Sequence, residues 1–175
     1  CDAILFTKNK NSIIPNRKED LSAFRKELLN IPTKPEDGGH YDLVVVGAGT
    51  AGLSAAIKGA REGLKVALIN NRPVPGGNNS SEIRVVASGE MNVKPYTTLG
   101  NVIKEIRNVY SKEDQVIEMI QAEKMLSYFP NMHVFAASKV GKQIKSVTAK
   151  HIENGKEEEF FSPLFVDCSG DGNLG

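Results

Sequence analysis

The sequence has almost no excess of charge of either sign and no long apolar run. Its 175 residues hold 22 Lys and Arg against 21 Asp and Glu, a net charge of +1. A balance this close to neutral does not favour a nucleic-acid-binding protein or an acidic tail. No apolar run reaches the roughly 18 residues that a membrane-spanning helix needs. We therefore predict no nucleic-acid partner and no membrane span.

Cysteine and histidine are scarce, and their positions argue against several kinds of site. The two cysteines, Cys1 and Cys168, are too far apart in sequence for a Cys-x-x-Cys or metal-ligand spacing. The three histidines, His40, His133 and His151, are scattered, so no metal site is predicted. His133 begins a predicted strand and is interpreted as a surface or interface residue, not as a ligand. Cys168 follows a buried strand and is interpreted as a small packed residue rather than a redox thiol.

The sequence also lacks the usual signs of natural ends. It has no initiator methionine, and it opens on a strand-like run over residues 3–7. It stops after a glycine-rich turn at 169–172, where a helix is expected to begin. No signal peptide is visible. We expect a chain that is truncated at both ends.

Composition divides the chain near residue 40. Apolar residues spaced by three and four over 22–29 predict a short amphipathic helix. Residues 32–39 are rich in Pro and Gly and are typical of a linker. We therefore predict an upstream region with a linker helix over 1–40 and a core domain over 41–175.

The core domain begins with an apolar strand that leads directly into a glycine-rich turn. The strand is predicted over 42–46, and it is followed by Gly47-Ala48-Gly49-Thr50-Ala51-Gly52, which has G-x-G-x-x-G spacing. In such turns the first glycine permits the tight turn, the second lets the backbone approach a pyrophosphate, and the third lets the helix pack on the strand. A helix over 50–62 would offer its first N–H groups to the phosphates. With a second strand over 65–69, the motif predicts dinucleotide binding, against the alternative of a tight turn without a ligand.

The rest of the chain predicts a sheet with an unusual crossover. The predicted elements are a long loop over 70–81, helices over 97–109 and 112–128, a strand over 132–136, a hairpin of 142–152 and 157–161 turned by Asn154-Gly155, and a last buried strand over 164–167. A β-meander thus joins the strand over 133–136 to the strand over 164–167, where an NAD-binding domain would use a helix. The predicted fold class is α/β, a Rossmann-like parallel sheet with a β-meander crossover.

This order of elements resembles the FAD-binding domain of the glutathione-reductase-like flavoproteins. Within that superfamily, residues 66–85 and 166–172 are similar to stretches of the FAD-dependent oxidoreductase family. The resemblance covers about residues 41–175. It implies that the cofactor is FAD.

The resemblance also implies which residues would hold the cofactor. Gly47, Gly49 and Gly52, with Thr50 and Ala51 between them, would cradle the pyrophosphate. The other implied contacts are Asn70 and Asn71 after the second strand, Arg72 over the adenosine end, Gly76, Gly77 and Asn78 toward the pyrophosphate and flavin, Val140 at the adenine through its backbone, and Ser169 and Gly170 near the adenosine and phosphates. A solvated surface arginine is the alternative for Arg72, and a flexible loop is the alternative for 76–81.

Asn70 departs from the usual pattern of such sites. The end of the second strand normally carries Asp or Glu, which accepts hydrogen bonds from the ribose hydroxyls. The amide oxygen of Asn70, 18 residues after Gly52, can accept a hydrogen bond but carries no charge. We therefore expect a weaker ribose contact.

The loop after Gly76-Gly77 lacks the cysteine pair of disulfide reductases. Those members of the superfamily have C-x-x-x-x-C there, whereas this chain has Asn78-Asn79-Ser80-Ser81-Glu82-Ile83. Dithiol chemistry is therefore excluded. Glu82 and Arg84 are interpreted either as substrate-side groups or as members of a structural ion pair.

These observations predict an FAD-dependent oxidoreductase that moves a hydride or electrons from a small organic substrate. The chain would carry its FAD-binding part, and no catalytic residue is predicted. One alternative is a non-catalytic or NAD-using dinucleotide-binding module of a multidomain protein, which the neutral Asn70 favours. Another is a scaffold domain whose site has decayed. The cofactor favours a cytoplasmic location, with an exported protein as the alternative, and the oligomeric state is not predicted.

Overall fold

A computed structural model describes residues 6–9, 11, 13–172 and 174 of the chain. The chain divides into two compact units, Cys1–Lys34 and Pro35–Gly175. The first unit contains helix α1 (Lys18–Leu28), which confirms the amphipathic helix predicted over 22–29. The strand predicted over 3–7 lies mostly outside the described residues, and Phe6 and Thr7 are not in a strand.

The second unit alternates strands and helices and then continues as strands alone. Its elements in chain order are β1 (Glu36–His40), β2 (Leu43–Val46), α2 (Thr50–Arg61), β3 (Val66–Ile69), a one-turn 3₁₀ helix (Gly77–Asn79), α3 (Asn101–Asn108), α4 (Glu113–Gln121), β4 (Leu126–Phe129), β5 (Met132–Val140), β6 (Gln143–His151), β7 (Glu157–Phe161) and β8 (Phe165–Asp167). In the part of the chain that the structure describes, no helix is long and apolar enough to cross a membrane.

Strands β2 and β3 lie at the centre of a parallel sheet with the order β4-β3-β2-β8. All residues of β2 and β3 are buried, because both faces of the sheet are covered. Leu43 and Val45 face the helical layer, where they pack with Leu53 of α2. Val44 and Val46 face a second sheet. Covered faces on both sides explain why β2 and β3 are continuously apolar rather than alternating.

The second sheet has the order β1-β7-β6-β5 and covers the face of the parallel sheet opposite the helices. Strands β5, β6 and β7 are antiparallel neighbours and form a β-meander between β4 and β8. The predicted meander is thus present, but the strand predicted over 132–136 belongs to the antiparallel sheet, and the parallel strand that precedes the meander is β4. Phe160 of β7 is fully buried in the core between the two sheets, with Val44 and Val147. The predicted fold class is thereby confirmed.

Two stretches differ from the prediction made from sequence. Residues 36–39, a linker by composition, belong to β1, which pairs in parallel with β7. The helix predicted over 112–128 ends at Gln121, and Leu126–Phe129 forms β4 beside β3. In both cases the strand depends on a partner that is distant in sequence. The domain boundary near residue 40 stays a prediction.

Candidate functional site

The glycine turn between β2 and α2 is packed so closely that two of its glycines have no room for a side chain. Gly47 has a positive φ of 99°, and a Cβ there would lie 2.3 Å from the carbonyl oxygen of Cys168. A Cβ on Gly52 would lie 1.7 Å from the carbonyl oxygen of Gly47. Gly47 therefore lets the turn meet the end of β8, and Gly52 lets α2 begin directly over the turn.

Gly49, the middle glycine of the motif, faces open space. Its backbone is extended, with φ −69° and ψ −178°, and a Cβ built there would meet no atom within 4 Å. It precedes the first turn of α2, which contains no acidic residue. The first N–H groups of a helix have no partners within the helix, and the helix dipole makes them attractive to an anion. The space in front of Gly49 therefore suits a phosphate group.

The loop after β3 comes back to lie against this turn. The backbone N–H of Gly76 donates to the carbonyl oxygen of Ala48 at 2.7 Å. A Cβ on Gly77 would lie 3.0 Å from the Cα of Gly49, and both Gly76 and Gly77 have positive φ. The absence of a side chain at Gly77 thus allows the two backbones to approach each other, whereas a Cβ on Gly76 would meet Ser80 of its own loop. Asn78, next in the loop, is exposed, and its carbonyl oxygen accepts from the N–H of Val85 at 2.8 Å.

Asn79 connects the loop to α2, a role that the sequence reasoning missed. Its side chain is buried, its Oδ1 accepts a hydrogen bond from the Thr50 hydroxyl, and its Nδ2 donates to the Val85 carbonyl at 2.7 Å. Its own carbonyl accepts from the N–H of Ser111 at 2.8 Å. One asparagine therefore holds together the start of α2, the loop and the α3–α4 connection. In the sequence it is one of two adjacent asparagines, and nothing distinguishes it from Asn78.

Asn70 is buried at the end of β3, and its side chain is bonded to the protein itself. Its Oδ1 accepts from the backbone N–H of Ala48 at 3.3 Å. Its Nδ2 lies 2.9 Å from the carbonyl oxygen of Arg72, 3.1 Å from that of Val74 and 3.3 Å from the hydroxyl of Tyr128. Burial raises the pKa of Tyr128, although the hydrogen bond from Asn70 acts in the opposite direction. The Asn70 amide therefore ties the glycine turn to the following loop.

Arg72 is an exposed residue in an ion pair. Its Nε lies 2.6 Å from Oε2 of Glu82. Hydrogen bonding to Arg72 lowers the pKa of the Glu82 carboxyl. Arg84 does not share this pair: its Nε donates to the carbonyl oxygen of Ser81 at 3.0 Å.

The turn after β8 is organised by Asp167. Its Oδ1 accepts from both the N–H and the hydroxyl of Ser169, at 3.0 and 2.6 Å, and its Oδ2 accepts from the N–H of Leu174 at 2.8 Å. Burial acts to raise the pKa of Asp167, but these hydrogen bonds outweigh it and hold the pKa below its ordinary value. Gly170 follows with a positive φ of 84°. Burial also raises the pKa of the Cys168 thiol, which agrees with a packed residue rather than a reactive thiolate.

A cleft opens where the carboxyl ends of β2 and β3 meet the start of β5. It is lined by Val46, Gly47, Ile69, Asn71, Met132, His133, Val134 and Ser169. The structure thus brings together three residues predicted from sequence, Gly47, Asn71 and Ser169. Ligands of open α/β sheets bind in this position, outside the carboxyl ends of the strands.

Val140 is not among the residues around this cleft. It lies on β5 six residues beyond Val134, and a strand rises by about 3.3 Å per residue, so the two are about 20 Å apart. It is 69% exposed. The residues of β5 that do reach the cleft are Met132, His133 and Val134, which the sequence reasoning does not assign to the site. His133 is exposed, as its interpretation as a surface residue requires, but it faces the cleft.

The match to a family of known proteins agrees with this geometry. The model of the family described as FAD dependent oxidoreductase matches residues 42–175. This chain belongs to that family. The predicted family, its FAD cofactor and its oxidoreductase class are thereby confirmed at the level of the family, whereas the roles of the individual site residues stay predictions.

Several curated proteins are similar to this family member. The soluble pyridine nucleotide transhydrogenase of Ectopseudomonas mendocina is 29% identical over 128 residues, which are 73% of this chain and 25% of the relative. The transhydrogenase of Marinobacter nauticus is 30% identical over 128 residues, which are again 73% of this chain and 25% of the relative. An opine oxidase subunit of Agrobacterium tumefaciens is 46% identical over 43 residues, 25% of this chain and 8% of the relative. The chain spans about a quarter of the length of the transhydrogenases that it matches.

Solved structures show the same fold at low sequence identity. The flavin-dependent brominase Bmp2 has a TM-score of 0.57 and 17% identity, and the match covers 78% of this chain and 39% of the brominase. The L-proline dehydrogenase from P. horikoshii has a TM-score of 0.51 and 16% identity, over 79% of this chain and 24% of the dehydrogenase. At these identities the likeness concerns the fold alone.

Proposed function

We propose that this chain forms the FAD-binding part of an oxidoreductase that takes a hydride or electrons from a small organic substrate. The observation that carries the proposal is the open space in front of Gly49, at the N-terminus of α2, where a Cβ would meet no atom within 4 Å. Packed glycines on either side of it, Gly47 and Gly52, shape a turn that a phosphate group can approach through the backbone. Membership of the FAD dependent oxidoreductase family supports FAD as the dinucleotide.

The residues around Gly49 have separate tasks in this proposal. The first N–H groups of α2 donate to the pyrophosphate, and no carboxylate in the first turn opposes its charge. Gly76 and Gly77 bring a second backbone segment beside the same space, and Asn79 holds that segment to Thr50. When bound, FAD supplies the redox chemistry, and the protein supplies binding and orientation.

The decisive experiment compares the visible absorption of the purified protein with that of its Gly49→Val variant. We expect flavin absorption in the wild type, either as purified or after addition of FAD. In the variant we expect the flavin content to fall below about a tenth of the wild-type value, because the added side chain fills the phosphate space. The fold should survive, since the backbone at Gly49 is extended and its Cβ points into open space.

Two further variants separate binding from folding. Gly52→Ala should fail to fold, because its Cβ would overlap the carbonyl oxygen of Gly47. Lys142→Ala, in an exposed turn between β5 and β6, should keep both fold and flavin. A wild-type protein that stays colourless with added FAD, or a folded Gly49→Val protein with normal flavin content, contradicts the proposal.

A further inference from the structure

The turn between β6 and β7 contains the one Asn-Gly pair of the sequence, Asn154-Gly155. Asn154 is exposed, and Gly155 has a positive φ of 73°. Such a backbone conformation suits glycine, which accounts for the pair as a hairpin turn. The pair also has a reactivity of its own, because Gly155 has no side chain to keep its backbone nitrogen away from the Asn154 amide.

Asparagine is a thermolabile residue, since its side chain can react with the backbone nitrogen of the residue that follows it. That nitrogen attacks the side-chain carbon Cγ and forms a new N–C bond. The Cγ–Nδ2 bond breaks, and ammonia leaves with the proton that the attacking nitrogen has lost. Water then opens the resulting cyclic succinimide at one of its two carbonyl groups, which gives aspartate or isoaspartate. Water is therefore the only co-reactant that the conversion needs.

A hydrogen bond within the turn favours this attack at Asn154. The backbone N–H of Lys156 donates to Oδ1 of Asn154 at 2.9 Å. The attack places negative charge on this oxygen, and a donor that already points at it stabilises that charge. The bond also holds the amide beside Gly155, because it spans from residue 154 to residue 156.

Another hydrogen bond in the turn opposes the attack and controls when it can occur. The N–H of Gly155 donates to the carbonyl oxygen of His151 at 2.9 Å, and this bond has to open before the nitrogen can react. Residues 152–154 of the turn are exposed. Exposed turns open locally at a much lower free energy than the whole fold does. The folded protein should therefore react, although more slowly than the unfolded chain.

We propose that Asn154 is a site of spontaneous modification, at which the folded protein is converted through a succinimide to isoaspartate and aspartate. Either product adds a negative charge next to Glu153. Isoaspartate also lengthens the backbone by one carbon between His151 and Lys156, whose N–H···O bond of 2.8 Å closes the hairpin. The inference does not rest on the proposed function, because the reaction involves no dinucleotide.

The test is peptide mass spectrometry of the purified, folded protein after long incubation in mildly alkaline buffer, with a parallel sample unfolded in urea. Trypsin cuts after Lys150 and Lys156 and so releases residues 151–156. We expect the folded sample to accumulate two acidic forms of this peptide, which chromatography resolves as a larger isoaspartate and a smaller aspartate fraction. The unfolded sample should accumulate both forms faster. A freshly purified sample, digested alongside, corrects for modification during digestion.

Two controls test whether the reaction depends on the Asn-Gly pair. Asn71 is also exposed but precedes Arg72, so it should stay unmodified over the same time. Asn154→Gln should leave residues 151–156 unmodified, because its longer side chain would have to close a larger ring. Conversion of Asn154 without that of Asn71, in both samples, supports the inference. A folded sample without conversion, an aspartate form without isoaspartate, or conversion of Asn71 at the rate of Asn154 overturns it.

Discussion

Asn70 is a buried amide whose two ends are both hydrogen-bonded to the protein. The amide has one acceptor end and one donor end, and the protein presents a backbone N–H to the first and two carbonyl oxygens to the second. This pairing settles which end of the amide faces which partner. A carboxylate at this position would have acceptors at both ends. The surroundings of Asn70 therefore require a side chain with an acceptor at one end and a donor at the other, and a carboxylate has no donor.

We predict that Asn70→Asp, which restores the usual acidic residue, destabilises the protein. A carboxylate oxygen would replace Nδ2 and face the carbonyl oxygens of Arg72 and Val74 at about hydrogen-bond distance. Leaving such buried groups unsatisfied costs about 1–3 kcal/mol in the free energy of unfolding. Urea denaturation followed by circular dichroism measures this difference.

The neighbouring position provides the control for that substitution. Asn71→Asp makes the same chemical change at an exposed side chain, and we expect the free energy of unfolding to stay within about 0.5 kcal/mol of the wild type. Equal stabilities for Asn70→Asp and the wild type would show that the buried amide is not what holds the loop.

Among the secondary-structure elements, β1 has the sequence that is least typical of the structure it forms. Its residues, Glu-Asp-Gly-Gly-His, have low strand propensity, yet they pair in parallel with β7. A bulge interrupts the pairing between Asp37 and Gly39. Gly38 lies against the ring of Phe160, which is fully buried and makes an edge contact with Phe129 at 4.8 Å between ring centres. The glycine allows the edge strand to lie close to the aromatic core.

We predict that Gly38→Ala destabilises the second unit by about 1–3 kcal/mol, the usual cost of overpacking a core. A Cβ at this position would lie 2.9 Å from Cε1 of Phe160, and the enclosed ring has little room to move. The midpoint of chemical denaturation is the measurement. Glu36→Ala, at an exposed position of the same strand, should change the stability by less than about 0.5 kcal/mol. If Gly38→Ala unfolds at the wild-type midpoint, the packing of β1 on Phe160 does not contribute to stability.

The second unit has three layers, with the parallel sheet in the middle. Helices cover one face of β2 and β3, and the antiparallel sheet covers the other. The glycine turn, the loop from Gly76 and the turn after β8 all leave the sheet at its carboxyl edge. The proposed dinucleotide site therefore includes segments that are about 30 and 120 residues away from the glycine turn along the chain.

We predict that FAD raises the thermal stability of the protein, because a ligand that binds only the folded state stabilises it. At a concentration of one hundred times Kd the gain is about 2.7 kcal/mol. For a chain of this size each kcal/mol shifts Tm by about 2–4 °C, so Tm should rise by roughly 5–10 °C. Differential scanning calorimetry with and without FAD measures the shift, and Gly49→Val should abolish it. An equal shift in that variant would place FAD somewhere other than the glycine turn.

The sequence predicts those parts of the fold that depend on neighbours along the chain. The strand at 42–46, the turn with Gly47, Gly49 and Gly52, and the β-hairpin turned by Asn154-Gly155 are local patterns, and the structure has all of these elements. Parallel pairing joins strands that are distant in sequence, so local patterns do not reveal it. The sequence pattern therefore indicates a linker at β1 and the end of a helix at β4. Leu126 and Phe129 are three residues apart, a spacing that is compatible with a helix and with a short strand. Pairing with the edge of β3 selects the strand.

For the site, the sequence by itself determined that a dinucleotide-type turn is present and that dithiol chemistry is excluded from the loop after it. Those conclusions follow from glycine spacing and from the absence of cysteine, which need no knowledge of distant contacts. Only the tertiary structure decided that Asn70 faces inward, that Asn79 joins the loop to α2 and that His133 lines the cleft. The direction in which a polar side chain faces depends on the partners that folding brings to it, and those partners come from other strands and loops.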